Sequence, residues 1–282
     1  MLILRADEMG MCFGVRDALA ALDAIEVPAD VTIHGELVHN PDVLRDLDRR
    51  GFRRSPEQAR TVPATPSVLI TAHGVSDRER QRLHAAGKRV IDTTCPLVHK
   101  AHAAARALAA AGCRVVVIGR RDHVEVRGLT EDLERPIVVS DVDDVASWPD
   151  RRLGVVCQTT TQVAFAERIV AAIRAANPAA EVHVADTICS PTKARIAAID
   201  ALLPRIDALV VVGGRDSNNT RQLVERARRG GVPTLHATGP DDVAAGWFAG
   251  CRVVGLTAGT STPDGVIAAV YARLEAIGAG AG

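Results

Sequence analysis

Three of the six cysteines in this 282-residue chain have positions that suggest chemistry. Cys12, Cys95 and Cys189 each follow a short apolar run and precede a stretch suited to a helix. A helix N-terminus favours the thiolate over the thiol, and the thiolate is the form that binds metals. Because one such cysteine lies near the start of each third of the chain, three loops could direct their thiolates at a shared metal.

Spacing alone leaves this metal site and three unrelated loop cysteines about equally open. The chain has no Cys-x-x-Cys pair, so the zinc-ribbon and ferredoxin patterns are absent. Three thiolates on an iron–sulfur cluster would leave one iron without a protein ligand, and an open coordination position is typical of catalytic metals. Cys113, Cys157 and Cys251 lie within or beside apolar segments, and we predict that they are core residues.

Neutral hydrogen-bond donors occupy other loops that follow apolar runs. They are His39, His73, His123, Ser217, Asn219 and Ser261. Backbone N–H groups at helix starts also attract anions, so this set suits a phosphate-bearing small molecule better than a polymer. Taken singly, each histidine could equally be a surface or structural residue.

Glu125 follows His123 by two residues and could pass protons to a metal-bound hydroxyl. Considered alone, a glutamate at this position is more often a solvated surface residue. Thr159 could orient the same proton, or it could cap the helix that follows it. Asp92 and Asp186 lie at strand ends just before two of the cysteines, and we predict that they cap loops.

Alternating strands and helices must position these loops. Apolar runs rich in Val, Ile and Leu recur nine times, at residues 2–4, 31–33, 68–70, 90–91, 115–118, 155–156, 182–184, 209–212 and 253–256. A polar loop and an amphipathic or Ala-rich stretch follow them. This alternation predicts an α/β fold with parallel sheets that are covered on both faces. Ligands of such sheets bind beyond the carboxyl ends of the strands, where the polar loops lie.

Composition argues against several functional classes. Hydrophobic residues make up 47% of the chain, which excludes wholesale disorder. Lys plus Arg and Asp plus Glu both number 34, so we expect no nucleic-acid partner, and 2% aromatic residues are too few for base stacking. The chain has neither a long uninterrupted apolar stretch nor an apolar signal core at its start, so we expect a cytoplasmic protein without membrane contact.

Taken together, the loops resemble those of the 4-hydroxy-3-methylbut-2-enyl diphosphate reductases, the iron–sulfur enzymes that end the methylerythritol phosphate route to isoprenoids. The similarity rests on residues 10–15, 38–41, 72–75, 92–98, 123–128, 158–160, 186–189, 217–219 and 257–263. These segments occur in the family's order over nearly the whole chain. Such an ordered set is far more specific than any single loop.

The resemblance implies three small parallel-sheet α/β domains, at residues 1–95, 96–188 and 189–282, in a trefoil around a central 4Fe–4S cluster. It implies that Cys12, Cys95 and Cys189 bind the cluster and that Glu125 donates protons with Thr159 beside it. The diphosphate of the substrate would be held by His39, His73, His123, Ser217, Asn218, Asn219 and Ser261.

The implied reaction removes a hydroxyl from an allylic diphosphate and gives isopentenyl and dimethylallyl diphosphates. Reduced ferredoxin or flavodoxin is the implied electron donor. The family usually reads Gly-His-Pro-Glu where this chain has Asp122, His123, Val124 and Glu125, and Asn218 replaces a common serine. A negative charge at Asp122 is unfavourable if it faces a diphosphate. These departures leave open a related reductase of another allylic diphosphate.

Two other functions compete with the reductase. An iron–sulfur or zinc redox sensor would use the three cysteines but would have no need of Glu125, Thr159 and the anion-binding loops. A nucleotide-binding module without metal would need a phosphate loop, and Gly213-Gly214 lacks the dinucleotide fingerprint. The combination of cysteines, acid and anion donors favours the reductase.

Overall fold

The computed structural model describes residues 1–56 and 61–280. Within these ranges the chain forms three four-stranded parallel sheets with helices between the strands, which confirms the predicted α/β class. The strands are β1 (Leu2–Arg5), β2 (Val31–His34), β3 (Arg53–Arg54), β4 (Ser67–Ile70), β5 (Arg89–Asp92), β6 (Arg114–Ile118), β7 (Ile137–Val139), β8 (Arg152–Cys157), β9 (Glu181–Val184), β10 (Ala208–Val212), β11 (Thr234–Ala237) and β12 (Val253–Ala258). All nine predicted apolar runs lie within these strands.

The helices are α1 (Phe13–Asp23), α2 (Pro41–Arg49), α3 (Asp77–Ala85), α4 (Pro96–Ala110), α5 (Val124–Glu131), α6 (Val163–Ala176), α7 (Ser190–Leu202), α8 (Asn218–Arg229) and α9 (Asp264–Gly280). Proline marks the starts of several of them because its fixed φ suits the first helical turn. Pro41 and Pro96 are the first residues of their helices, and Pro191 is the second residue of α7.

The three sheets share one strand order. Their orders are β3-β2-β4-β5, β7-β6-β8-β9 and β11-β10-β12-β1. In each sheet, therefore, the first and third strands of a repeat form the centre, and the second and fourth form the edges. The last sheet takes its fourth strand from the beginning of the chain, where Leu2 pairs with Val253 and Leu4 with Gly255. The predicted domain boundaries at residues 95 and 188 stay predictions.

Strand β10 shows why the central strands are continuously apolar. Val210 and Val212 pack on one face of their sheet, in a core that includes Val270 of α9. Leu209 and Val211 pack on the other face, against helices α7 and α8. Successive side chains of a strand point to opposite faces, so a strand between two helical layers buries every residue. Burying one such side chain contributes about 1.5–3 kcal/mol.

The described residues divide into two compact units. One contains Met1–Arg16, Val38–Arg45 and the chain from Ser190 onward, including the sheet of β1, β10, β11 and β12. The other contains Asp17–Leu37 and Asp46–Cys189, with the remaining two sheets. We call them the terminal unit and the central unit. None of the helices described in either unit has the length and apolar character required to cross a membrane.

Candidate functional site

The cysteine loops occupy equivalent places in the three sheets. Cys12, Cys95 and Cys189 follow β1, β5 and β9, which are the fourth strands of their sheets. Each cysteine directly precedes a helix, namely α1, α4 and α7, and each is half-buried. The predicted position at a helix start is therefore confirmed for all three, and it favours their thiolate forms.

A matching hydrogen bond holds each cysteine loop. The backbone N–H of the cysteine donates to a carbonyl in the loop after the third strand of the same sheet. The pairs are Cys12 with Thr260 at 3.1 Å, Cys95 with Ala72 at 3.1 Å, and Cys189 with Thr159 at 2.9 Å. The same type of backbone hydrogen bond thus holds all three cysteines in position, although the sequences around them differ.

The chemistry of these thiols fits an iron–sulfur cluster. They are soft donors that are accessible and lie at positive helix ends, as a cluster with thiolate ligands requires. The other cysteines differ, because Cys113 and Cys157 are buried in the core as predicted. Cys251 packs against a core cluster, as predicted for a core residue, but it is only half-buried.

Glu125 and Thr159 meet in the interior of the central unit. The backbone N–H of Thr159 donates to Oε1 of Glu125 at 2.6 Å, and its hydroxyl donates to Oε2 at 3.1 Å. The side chain of Glu125 is on α5 and is only 2% exposed, so the alternative of a solvated surface glutamate is wrong. Burial raises the pKa of Glu125 to about 7, against the opposing effect of the two bonds from Thr159.

His123 caps helix α5, and the cap determines its tautomer. Its Nδ1 accepts the backbone N–H of Glu125 at 3.2 Å, so a neutral ring carries its proton on Nε2. The rings of His123 and His73 lie edge to face with centroids 5.4 Å apart. His73 is in the loop after β4, where it precedes Gly74, whose φ of +71° suits a residue without a side chain. Two predicted phosphate donors therefore lie together in the central unit.

Asn219 and Ser261 present buried polar atoms in the terminal unit. Oδ1 of Asn219 accepts the backbone N–H of Thr260 at 3.0 Å, which fixes the orientation of the amide. Among the described residues, neither Nδ2 of Asn219 nor Oγ of Ser261 has a hydrogen-bond partner, although both atoms are buried. Buried polar groups without partners are costly, so these two atoms suit a polar ligand.

The remaining predicted donors of the terminal unit lie at the starts of α2 and α8. Ser217 is the N-cap of α8, where its Oγ accepts from the backbone N–H of Thr220 at 3.3 Å, and Asn218 is the buried first residue of that helix. His39 is half-buried, and its carbonyl lies so close to Gly214 that a Cβ there would meet it at 2.4 Å. Gly214 after β10 therefore permits this close approach, which a side chain would prevent.

The two departures from the family pattern are accommodated by the fold. Val124 is buried at the first position of α5, so the helix begins there without the usual proline. Asp122 is exposed, whereas the neighbouring His123 is buried. Asn218 occupies the first turn of α8, where asparagine is well tolerated.

Sequence reasoning missed two arginines that support the cysteine loops. Asp92 caps the loop before Cys95, as predicted, by accepting from the backbone N–H of Thr94 at 3.0 Å. Arg80 also reaches this loop and donates to the hydroxyl of Thr94 at 3.1 Å. Arg195 is buried in α7 and donates to the carbonyl of Gly10. Charged residues in predicted helices normally face solvent, so no sequence signal distinguishes these two.

Comparisons with known proteins agree with the resemblance. The family model described as LytB protein matches residues 3–275. The 4-hydroxy-3-methylbut-2-enyl diphosphate reductase of Ralstonia nicotianae is 36% identical over 98% of this chain and 87% of its own length. The protein of the same name from Aquifex aeolicus is 33% identical over 98% of this chain and 96% of its own length.

A solved structure shows the same fold. The E-1-hydroxy-2-methyl-but-2-enyl-4-diphosphate reductase of Plasmodium falciparum superposes with a TM-score of 0.88 and 27% sequence identity, over 97% of this chain and 87% of that one. The match to the family model spans all three sheets and every loop discussed above. This chain therefore belongs to the LytB family.

Proposed function

We propose that this chain is a cytoplasmic reductase that converts 4-hydroxy-3-methylbut-2-enyl diphosphate to isopentenyl and dimethylallyl diphosphates. Removal of the hydroxyl as water consumes two electrons and two protons. Cys12, Cys95 and Cys189 would hold a 4Fe–4S cluster, and reduced ferredoxin or flavodoxin would supply the electrons. When bound, the cluster provides electron transfer and a Lewis-acidic iron for the substrate hydroxyl.

The position of Thr159 carries this proposal. Its N–H and hydroxyl bind the carboxylate of Glu125, and its carbonyl accepts the N–H of Cys189 at 2.9 Å. Thr159 is therefore hydrogen-bonded both to a titratable carboxyl and to the backbone of a cysteine that would bind the cluster. A redox sensor needs the thiol but has no use for a buried carboxyl whose pKa is raised to about 7.

Glu125 would deliver the proton that accompanies loss of the hydroxyl. At neutral pH a carboxyl with a pKa of about 7 is present in both its protonated and its ionised form, which suits a general acid. Thr159 would orient the carboxyl through its two hydrogen bonds. The low exposure of Glu125 keeps bulk water from competing for the same proton.

The diphosphate would bind to neutral donors rather than to a cluster of cations. Nε2 of His123 carries a proton because Nδ1 is occupied by the helix cap. Asn219 and Ser261 each offer a buried polar atom, and His39, His73, Ser217 and Asn218 complete the set. Hydrogen bonds to a charged ligand of this kind contribute about 1.5–3 kcal/mol each.

Substitution of single cysteines tests the cluster. After anaerobic purification we expect Cys12→Ser, Cys95→Ser and Cys189→Ser to lose most iron and sulfide, because a hydroxyl is a poor ligand for a sulfide cluster. Cys113→Ser, Cys157→Ser and Cys251→Ser are matched controls that should keep their iron. Full cluster retention in Cys95→Ser would overturn the assignment.

The substrate assay separates the reductase from the sensor. The iron-loaded wild-type protein, reduced by dithionite with a viologen mediator, should convert the allylic diphosphate to the two products. A cluster-containing protein that leaves this substrate unchanged but reduces another allylic diphosphate would identify the related reductase. A cluster without turnover on either substrate would favour the sensor.

A further inference from the structure

A buried arginine lies in the terminal unit beside the loop that carries Cys12. Arg195 is on α7 and is only 3% exposed. Its Nη2 donates to the carbonyl of Gly10 at 2.6 Å, and its Nη1 donates to the carbonyl of Pro191 at 3.0 Å. One guanidinium thus joins the first turn of α7 to the loop after β1. Arginine is suited to such a bridge because its planar fork directs several N–H groups at fixed angles.

Other hydrogen bonds also hold the Cys12 loop, including one from Nε of Arg16 to the carbonyl of Met11 at 3.3 Å. Gly10 donates to the carbonyl of Ala258 at 3.1 Å, and Cys12 donates to the carbonyl of Thr260 at 3.1 Å. Gly10 has a φ of +76°, and a Cβ there would lie 2.8 Å from Cδ1 of Ile267. The bond from Arg195 holds the carbonyl of this glycine, so it helps to fix the direction in which the chain continues to Cys12.

The charge of Arg195 contacts the chain two residues before Cys12, because Nη2 lies 2.6 Å from the carbonyl oxygen of Gly10. A buried cation is screened far less than one at the surface. The reduction potentials of iron–sulfur clusters depend on local charge and burial, because a nearby positive charge stabilises the additional electron.

We propose that Arg195 is a positioning residue for Cys12 and that its charge raises the reduction potential of the cluster. The proposal rests on the proposed function, since it assumes that Cys12 binds a cluster. It makes two separable statements. The hydrogen bonds of the guanidinium order the loop in the protein with or without iron, and its charge acts only on the loaded protein.

Hydrogen exchange of the iron-free protein tests the positioning role. In both Arg195→Met and Arg195→Lys, the amides of residues 10–12 should exchange at least about tenfold faster than in the wild type, which corresponds to about 1.4 kcal/mol. Arg273→Met is the matched control, because Arg273 on α9 also donates to a carbonyl, that of Val243 at 3.1 Å, but is exposed. Unchanged exchange in both Arg195 variants would overturn the positioning role.

Reduction potentials of the iron-loaded variants test the charge. Arg195→Met should lower the potential so that the ratio of reduced to oxidised cluster at a fixed applied potential falls about tenfold, or about 59 mV for one electron. Arg195→Lys keeps the charge and should stay near the wild type, as should Arg273→Met. Equal potentials for Arg195→Met and wild type would overturn the electrostatic role, and a merely structural defect would not separate Met from Lys.

Two controls keep the outcomes distinct. If Arg195→Met does not fold, Arg195→Gln replaces it, because glutamine can still donate to one carbonyl but carries no charge. If the wild-type protein binds no cluster under anaerobic reconstitution, the proposed function fails. If the wild type binds a cluster and every Arg195 variant matches it in exchange and potential, only the inference about Arg195 fails.

Discussion

The surroundings of Glu125 determine the pKa of its carboxyl group. An exposed glutamate would be fully ionised at neutral pH, whereas this carboxyl is 2% exposed and its pKa is raised to about 7. Desolvation is the largest cause, because an interior without water disfavours the charged form. The two hydrogen bonds from Thr159 oppose that effect and keep the ionised form accessible. The residue is therefore balanced between two protonation states, as proton transfer requires.

Glu125→Gln should separate proton delivery from binding. Glutamine keeps the shape of the side chain, and the hydroxyl of Thr159 can rotate to accept its amide N–H. We expect kcat to fall by about two orders of magnitude or more while iron content and substrate affinity stay nearly normal. Glu134→Gln, at an exposed position just after α5, is the matched control. Near-normal turnover in Glu125→Gln would mean that protons arrive by another route.

The pH dependence of the enzyme should follow the same carboxyl. If protonated Glu125 is required, kcat/KM should fall about tenfold per pH unit above the pKa of about 7. A profile of kcat/KM from about pH 5.5 to 9 measures this limb. A flat profile across this range would contradict the assignment of Glu125 as the acid.

Stability should change in the corresponding direction. Between about pH 4.5 and 7 the folded protein keeps a proton on Glu125 that the unfolded chain has lost. The free energy of unfolding therefore falls as pH rises through this window. Denaturant titrations of Glu125→Gln should show a smaller fall than those of the wild type.

At the scale of elements, His123 is the N-cap of α5 and, in the proposed function, also a donor to the diphosphate. His123→Ala should cost about 1 kcal/mol of stability through loss of the cap, and it should raise KM about tenfold through loss of the Nε2 donor. His123→Asn should restore most of the stability, since asparagine is a good N-cap residue, while KM stays high. Urea denaturation and steady-state kinetics measure the two effects. Recovery of KM in His123→Asn would show that only the cap matters.

The strands that sequence reasoning missed share one structural property. They are β3, β7 and β11, and each lies at the edge of its sheet. An edge strand pairs on one side only and needs less apolar surface, so Arg53 and Arg54 can form β3 with both side chains exposed. Central strands such as β10 are buried on both faces, and their unbroken apolar runs are visible in the sequence. Edge position alone does not hide a strand, because β1, β5 and β9 also lie at sheet edges and their apolar runs were predicted.

The sequence predicts some features of the candidate site and does not reveal others. The residue types and loop positions of Cys12, Cys95 and Cys189 were predictable because helix-start signals and apolar runs enclose them. The burial of Glu125 was not, since its neighbours in sequence do not reveal that Thr159 covers it. The role of Arg195 depends on a contact between residues 185 positions apart in the chain.

At the scale of the whole chain, three equivalent sheets each bear one cysteine loop. The loops after the first and third strands carry the other predicted site residues in every sheet. In the central unit they hold His73 after β4, Glu125 after β6 and Thr159 after β8. In the terminal unit Ser217 follows β10 and Ser261 follows β12. Equivalent loop positions thus carry different predicted site residues in each sheet.

The two units should respond separately to a change at Ala6, the residue after β1. Ala6→Pro removes the bond from the N–H of Ala6 to the carbonyl of Leu256, which measures 2.9 Å. We expect a loss of about 1–3 kcal/mol of stability. Hydrogen exchange should accelerate in β10 and β12 and remain unchanged in β6 and β8. Equal acceleration in all four strands would show that the chain unfolds as one cooperative body.

The pairing of β1 with β12 also determines when the Cys12 loop can form during synthesis. Leu2 is made about 250 residues before its partner Val253. At about 5–20 residues per second, the N-terminal strand waits roughly 12 to 50 s for its neighbour. The two sheets of the central unit have all their strands by Val184 and can assemble in the meantime. Because the N–H of Cys12 donates to the carbonyl of Thr260, its loop is completed only after Thr260 has been made. A cluster held by all three cysteines, as proposed, would therefore be inserted after the central unit can assemble.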